Sequence, residues 1–331
     1  MGMPDPKLDL PDVTDVHLAR ARIQHQIKPT PILRDPDLDE WAGCKLTVKC
    51  ENFQRTGSFK FRGASNAILC LDEALDDEGS GAEKLAVATH SSGNHGAALA
   101  LAARLSGRQA HVVMPEDSVV TKVESVRRYG GAVHFCEPTS RGREAGLEAL
   151  TGKGMIAVHP FDRLEIIAGQ GTCALELFGE DPRLEMLVVP VGGGGLISGC
   201  ALAAAAHGVS VIGVEPEGAA DTIASLERGS RVDDWQSDTI ADGLRAVIGV
   251  RNFALISRLV SRVVAVSDKE IRAAQAVAWK LLRLVIEPSS ATVLAAIARY
   301  PDLFSRRRVG LIVSGGNVLL ADWHAAVKER N

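Results

Sequence analysis

Glu51-Asn-Phe-Gln-Arg-Thr-Gly-Ser-Phe-Lys-Phe-Arg-Gly-Ala64 joins two segments of different periodicity. Before it, Leu46-Thr-Val-Lys-Cys50 alternates in character and reads as a strand, because at period two successive side chains switch faces. After it, Ala64, Ala67, Ile68 and Leu71 recur at helical spacing, with Ser58 as the expected N-cap. Lys60 then falls in the first turn of a helix, where the positive end of the dipole disfavours a cation. A lysine there is poorly placed for stability and well placed for chemistry, since a depressed pKa presents a neutral amine to a carbonyl. Taken alone it also reads as a solvated lysine on a helix face.

Outward from this stretch the same grammar continues. Val16, Leu18, Ala19 and Ile23 give an amphipathic helix over 13–27, stopped by Pro29-Thr-Pro31. A polar, glycine-containing link at 76–82 marks a candidate domain boundary. Beyond it lie strand 85–89, an alanine-rich helix to Leu105, strand 111–114, helix 122–129 and strand 132–136. The second half adds strands 186–190, 209–214, 263–266 and 309–314, with helices to about Ala206 and over 268–284, 290–300 and 319–330. Strand and helix alternate at the spacing of βαβ units, which predicts an α/β fold of mostly parallel twisted sheets flanked by helices. Residues 80–157 read as a small domain, and 1–79 with 158–331 as a large one.

The composition narrows the function. A chain of 331 residues with 46% hydrophobic content has room for a large core and more than one domain. Net charge −4, from 37 basic and 41 acidic residues, argues against a nucleic-acid or anionic-membrane partner. No apolar run reaches the roughly 20 residues that span a bilayer. The six cysteines form no C-x-x-C pair, which points to a reducing compartment without structural zinc. The start of the chain has no signal-peptide h-region, so a cytoplasmic protein is expected.

Two turns carry chemistry. Gly192, Gly193, Gly194 and Gly195 follow the apolar strand 186–190 and precede a helix. Four residues without side chains turn their amides inward as an anion nest, and the helix adds its positive end, so a phosphate belongs there. The dinucleotide pattern G-x-G-x-x-G fails at Ser198, although Glu215 lies about 20 residues on, where a ribose-binding acid falls. His90-Ser-Ser-Gly-Asn-His-Gly96 is a second strand-to-helix turn, offering hydroxyls, an amide and free N–H groups to a carboxylate or phenolate. Ser91 or Ser92 alone is equally an ordinary N-cap, and His95 a satisfied core histidine.

A reactive lysine, a phosphate cradle and a polar oxygen site are together what pyridoxal phosphate requires. In this the chain resembles the fold-type II pyridoxal-phosphate enzymes, above all the serine racemase, serine/threonine dehydratase and 3-hydroxyaspartate dehydratase group. The likeness runs through Pro29-Thr-Pro31, Glu51 to Lys60, His90 to His95, Ala168-Gly-Gln-Gly-Thr172, Gly192 to Gly195, Glu215-Pro216, Ala241-Asp-Gly243, Glu287-Pro288 and Ser314-Gly-Gly-Asn317, in that order. It implies that Lys60 holds the cofactor and abstracts the Cα proton, with the cofactor in the interdomain cleft. It further implies that Phe59, Asn94, the four glycines, Leu196, Glu287 and Ser314 surround the cofactor. Ser91, Ser92, Asn94 and His95 would hold the substrate carboxylate, with Ser92 as the proton donor opposite the lysine in racemases. A hydroxyl at Ser314 does not keep the pyridine nitrogen protonated, which favours β-elimination of water from serine, threonine or 3-hydroxyaspartate, giving a keto acid and ammonia.

The resemblance also implies a divalent-cation site at Glu215, the Ala219 carbonyl and Asp221, whose oxygen-only ligands suit Mg²⁺, Mn²⁺ or Ca²⁺. Solvated acidic loops look the same in sequence. Arg143 matches an arginine that approaches the substrate and is able to accept a second carboxylate. Ala246 and Ala97 depart from the racemase pattern, removing a substrate-side hydroxyl and a glutamine associated with nucleotide activation. The expected protein is a dehydratase of amino-acid metabolism, a homodimer in form. Its rivals are a serine racemase using Lys60 and Ser92, a nicotinamide-dependent oxidoreductase and a silent ligand-binding protein.

Overall fold

The computed structural model describes residues 8–77, 84–91 and 93–328. In chain order the strands are β1 (Ile32–Leu33), β2 (Lys45–Cys50), β3 (Val87–His90), β4 (Ala110–Pro115), β5 (Ala132–Cys136), β6 (Ile156–Ala157), β7 (Met186–Pro190), β8 (Ser210–Pro216), β9 (Arg262–Val266) and β10 (Arg308–Val313). The helices are α1 (Val13–Ile23), α2 (Pro36–Ala42), α3 (Lys60–Asp77), α4 (Asn94–Leu105), α5 (Val120–Arg128), α6 (Ser140–Thr151), α7 (Leu164–Glu180), α8 (Gly195–Ala205), α9 (Asp221–Arg228), α10 (Val250–Leu259), α11 (Asp268–Val277), α12 (Pro288–Arg299), α13 (Pro301–Phe304) and α14 (Leu320–Lys328). One sheet runs β1-β2-β10-β7-β8-β9 and the other β5-β4-β3-β6. All pairings are parallel except β1 with β2.

The position of β10 organises the larger sheet. The last strand of the chain inserts between β2 and β7, setting Val309 opposite both Leu46 and Met186. Three turns far apart in sequence therefore leave the carboxyl edge of one sheet side by side: Glu51 to Lys60 after β2, Ser314 after β10 and the glycine run after β7. Carboxyl edges of parallel strands are where α/β folds place their ligands.

The structure differs from the sequence reading in several places. Ser58 is not a helix cap: α3 begins at Lys60, while Ser58 pairs with Gly315 in an isolated antiparallel bridge and its buried hydroxyl has no hydrogen-bond partner. The β2 strand is buried on both faces from Leu46 to Cys50. Thr47 donates to Asp181 (3.2 Å), and Lys49, 1% exposed, donates to Glu176 (2.6 Å). The helix expected over 268–284 ends as α11 at Val277 and passes into a π-helical turn (Ala278–Leu282), closed by Arg283 at φ +58°.

The sequence reading has no helix at α7, nor at α2, α6, α9, α10 or α13, and within α7 Gly169 and Gly171 carry a breaker's propensity. They are instead the points where helices touch. A Cβ at Gly169 would sit 2.6 Å from the Cα of Gly63 on α3, and one at Gly171 would sit 2.5 Å from the carbonyl of Gly199 on α8. Bare backbone lets α7 lie directly against both neighbours, and each of those two helices opens one of the turns at the sheet edge.

A buried charge network fixes the start of α3. Arg62, fully buried, donates to Glu51 (2.7 and 2.8 Å) and to Glu176 (2.6 Å), which also takes the Lys49 ammonium. Thr30 completes the set by donating to Glu51 at 2.6 Å. Two cations and two carboxylates balance, so none is left uncompensated in the interior. Replacing Arg62 with Met leaves buried Glu51 without a cation, Glu176 keeping Lys49, and the expected loss is about 3–5 kcal/mol in chemical denaturation. Unchanged stability would mean the network is incidental.

Candidate active site

Lys60 is the first residue of α3. Its amine donates to the Pro160 carbonyl at 3.0 Å and lies 5.2 Å from the centre of the Phe59 ring. Burial pushes its pKa down to about 8, against the opposing pull of the Glu287 carboxylate. The desolvated amine thus has a substantial neutral fraction near neutrality, as a nucleophile or base requires. Next to Pro160, His159 accepts hydrogen bonds at Nδ1 from the Asp162 and Phe161 amides (3.0 and 3.4 Å), which leaves its proton on Nε2. Burial lowers its pKa to about 4, so the ring stays neutral.

The glycine run is shaped by what surrounds it. A Cβ on Gly192 would meet the Leu244 Cα at 2.8 Å, and one on Gly195 the Phe161 carbonyl at 2.9 Å. At Gly193 it would run into the Phe161 ring. Gly194 adopts φ +92°, which L-residues resist, and a Cβ there would press on Asn252 at 2.7 Å. The Gly193 carbonyl is tied by the Gly249 amide (3.1 Å) and the Asn252 side chain (2.8 Å). The α8 helix then begins at Gly195 with no side chain capping it, leaving its first amides for an anion.

On the opposite wall, the Ser91 hydroxyl accepts from the Gly93 and Gly96 amides, each at 3.1 Å, and so orders the start of α4. Asn94 donates to the buried Glu287 carboxylate (2.9 and 3.1 Å) and accepts from Asn317 (2.9 Å). Burial raises the Glu287 pKa, with Lys122, Asn94 and Lys60 pulling the other way. His95 is buried, and burial drives its pKa well below the usual imidazole value, with the Val158 backbone pulling the other way. The Ser314 hydroxyl lies 3.0 Å from that of Ser290, which itself accepts from the Gly315 amide at 2.6 Å.

These walls enclose a cleft of about 920 Å³. Phe59, Lys60, Ser91, Asn94, His95, Arg143, the four glycines, Leu196, Glu287 and Ser314 all line it, whereas Ser92 lies outside the described residues. Glu215, Ala219 and Asp221 are not part of the lining; they are buried behind the end of β8. Glu215 accepts there from the Thr222 and Ile223 amides (both 3.0 Å) and Asp221 from the Ile248 amide (2.8 Å). Among the described residues no group of three His, Cys, Asp or Glu side chains is disposed to hold a metal. The lining also includes Lys122, His159, Phe161 and Trp235, to which sequence reasoning gave no role, and Asp242, which it quoted without one.

Residues 23–315 match the family model described as pyridoxal-phosphate dependent enzyme. The chain belongs to that family. It is 43% identical over 314 residues to a beta-hydroxyaspartate dehydratase of Paracoccus denitrificans, covering 93% of this chain and 97% of that one. To the serine racemase of Dictyostelium discoideum it is 41% identical, over 93% and 95% of the two chains. The solved structure of maize serine racemase superposes with a TM-score of 0.88 at 38% identity, covering 97% of this chain and 98% of that one.

The residues present fit the family cofactor. A cradle that any Cβ would fill, at the uncapped start of a buried helix, suits a phosphate, and the desolvated Lys60 amine on the same cleft suits its aldehyde. Gly194→Ala tests the cradle. Strain at φ +92° and collision with Asn252 are expected to weaken pyridoxal-phosphate binding at least about tenfold in a spectrophotometric titration of the apo-protein. Undiminished affinity in a folded variant would remove the phosphate from this loop.

Proposed function

We propose that the protein eliminates water from a β-hydroxy amino acid, releasing a keto acid and ammonia, with 3-hydroxyaspartate, serine and threonine as the substrate class. The observation that carries this reading is the desolvated Lys60 amine on the same cleft as the glycine cradle and Ser314. When bound, pyridoxal phosphate supplies the electron sink that acidifies the substrate Cα–H. Lys60 would hold the cofactor and then take the Cα proton, a task suited to an amine whose pKa of about 8 lies near the operating pH. The amides of the glycine run and of the α8 start would hold the phosphate. Ser314 would offer a hydroxyl rather than a carboxylate to the ring nitrogen, favouring departure of the β-hydroxyl over return of a proton to Cα.

Ser91, Asn94 and His95, together with Ser92, which the resemblance implies, receive the substrate carboxylate. Arg143, which the resemblance implies for a second carboxylate, lines the same cleft, and a guanidinium there suits 3-hydroxyaspartate. The relative named beta-hydroxyaspartate dehydratase supports that preference. Racemisation is the second reading, supported by the serine racemase relatives and by Ser92 at the position implied for the opposite-face proton donor.

A divalent cation at Glu215, the Ala219 carbonyl and Asp221 belongs to the same proposal. Burial raises Glu215 to about 8 and Asp221 to about 6, and one Asp221 oxygen is buried without a partner. Two carboxyls desolvated this strongly are what a hard cation relieves.

Keto-acid release across the stereoisomers of the three candidates, with and without chelator, tests the reading. Turnover is expected to be fastest with a 3-hydroxyaspartate isomer, and chelation is expected to lower the rate or the Tm. D-Serine exceeding pyruvate from L-serine would put racemisation first, and no turnover of any candidate would contradict both readings.

A further inference from the structure

Ala241-Asp-Gly243 carries no role in the reaction proposed above, yet the structure gives Asp242 a partner. It sits in a short 3₁₀ turn (Asp242–Leu244) on the six-stranded side of the cleft, and its carboxylate pairs with the ammonium of Lys122. Lys122 belongs to α5, on the four-stranded side, 120 positions earlier in the chain. The pair spans the cleft, whose lining includes both residues.

Each end is built into the machinery it faces. The Lys122 methylenes lie over Gly93, where a Cβ would stand 2.5 Å from Cδ, so the turn carrying Ser91 and Asn94 lacks a side chain where the lysine passes. The Lys122 side chain is 14% exposed, a burial an ammonium tolerates only with a counter-charge. Buried Glu287, which holds Asn94, adds a second attraction from the six-stranded side, while Arg245 opposes it. At the far end, the Leu244 backbone closes on Gly192 (2.8 Å to its Cβ position), and the Gly243 amide donates to Ser289 at 3.0 Å. The turn that carries Asp242 is thereby seated against the glycine cradle.

We propose that Lys122 and Asp242 form a clasp that holds the two walls of the cleft together, with Lys122 a positioning residue that keeps the carboxylate-binding turn in register with the glycine cradle. The inference rests on the assignment of that cleft as the reaction site. With the clasp broken, the competent closed form is less populated, and apparent substrate affinity falls by the lost fraction.

The test uses the cofactor-loaded full chain carrying Lys122→Met, Asp242→Asn or, as the charge-conserving control, Lys122→Arg. Hydrogen exchange is measured without substrate and KM with the best hydroxy amino acid. Each neutral variant is expected to lose protection at 93–105 and 239–250 together, with 164–180 unchanged, and to raise KM about tenfold at unaltered pyridoxal-phosphate affinity. Lys122→Arg, which keeps a cation facing both Asp242 and Glu287, retains protection in both segments. Unchanged exchange in the neutral single variants, or loss of protection in Lys122→Arg, overturns the clasp. The hydrogen-exchange result needs no turnover, so the clasp and the proposed reaction fail separately.

Discussion

Taking the Lys60 amine out of water is the constraint on which the rest of the structure depends. At the start of α3 it has neither a full hydration shell nor a favourable helix dipole, and its hydrogen bond is to the Pro160 carbonyl rather than to a carboxylate. Glu287 is close enough to moderate the shift without restoring the ordinary lysine value. A position so unfavourable persists only if its surroundings are rigid. The Arg62 network supplies that rigidity two residues further on, neutralising itself inside the protein and locking α3 to β2 and α7.

The topology converts that local strain into a site. With β10 between β2 and β7, the lysine turn, Ser314 and the glycine cradle leave one sheet edge together, and the β3 turn of the other sheet faces them. Glycines serve this arrangement in two ways. Those at 192–195 make room for a ligand, and those at 63, 169, 171 and 199 let the supporting helices approach to backbone distance.

Much of this was legible in the sequence because the local signals agree. Apolar strands run into turns that need glycine or hydroxyls, and alanine-rich helices follow, so the α/β class and the residues that meet in the cleft both appear in the chain as written. What misled was context. Ser58 looks like a cap until Gly315, just past β10, pairs with its backbone, and the partners of Thr47 and Lys49, Asp181 and Glu176, lie more than a hundred positions away. Gly169 and Gly171 carry a breaker's propensity that close helix packing overrides. Lys122 gives no signal at all, since an isolated lysine in a polar helix acquires meaning only from an aspartate 120 positions away. His159 is similar, its tautomer being set by two amides of its own turn.

The central claim is that one desolvated amine, Lys60, bonds covalently to the cofactor whose phosphate occupies the glycine cradle. Borohydride treatment of the pyridoxal-phosphate-loaded protein, followed by peptide mapping, reads that bond directly. The account predicts a single labelled peptide with the phosphopyridoxyl group on Lys60. A label on another lysine, or none on a protein that has bound the cofactor, would contradict it.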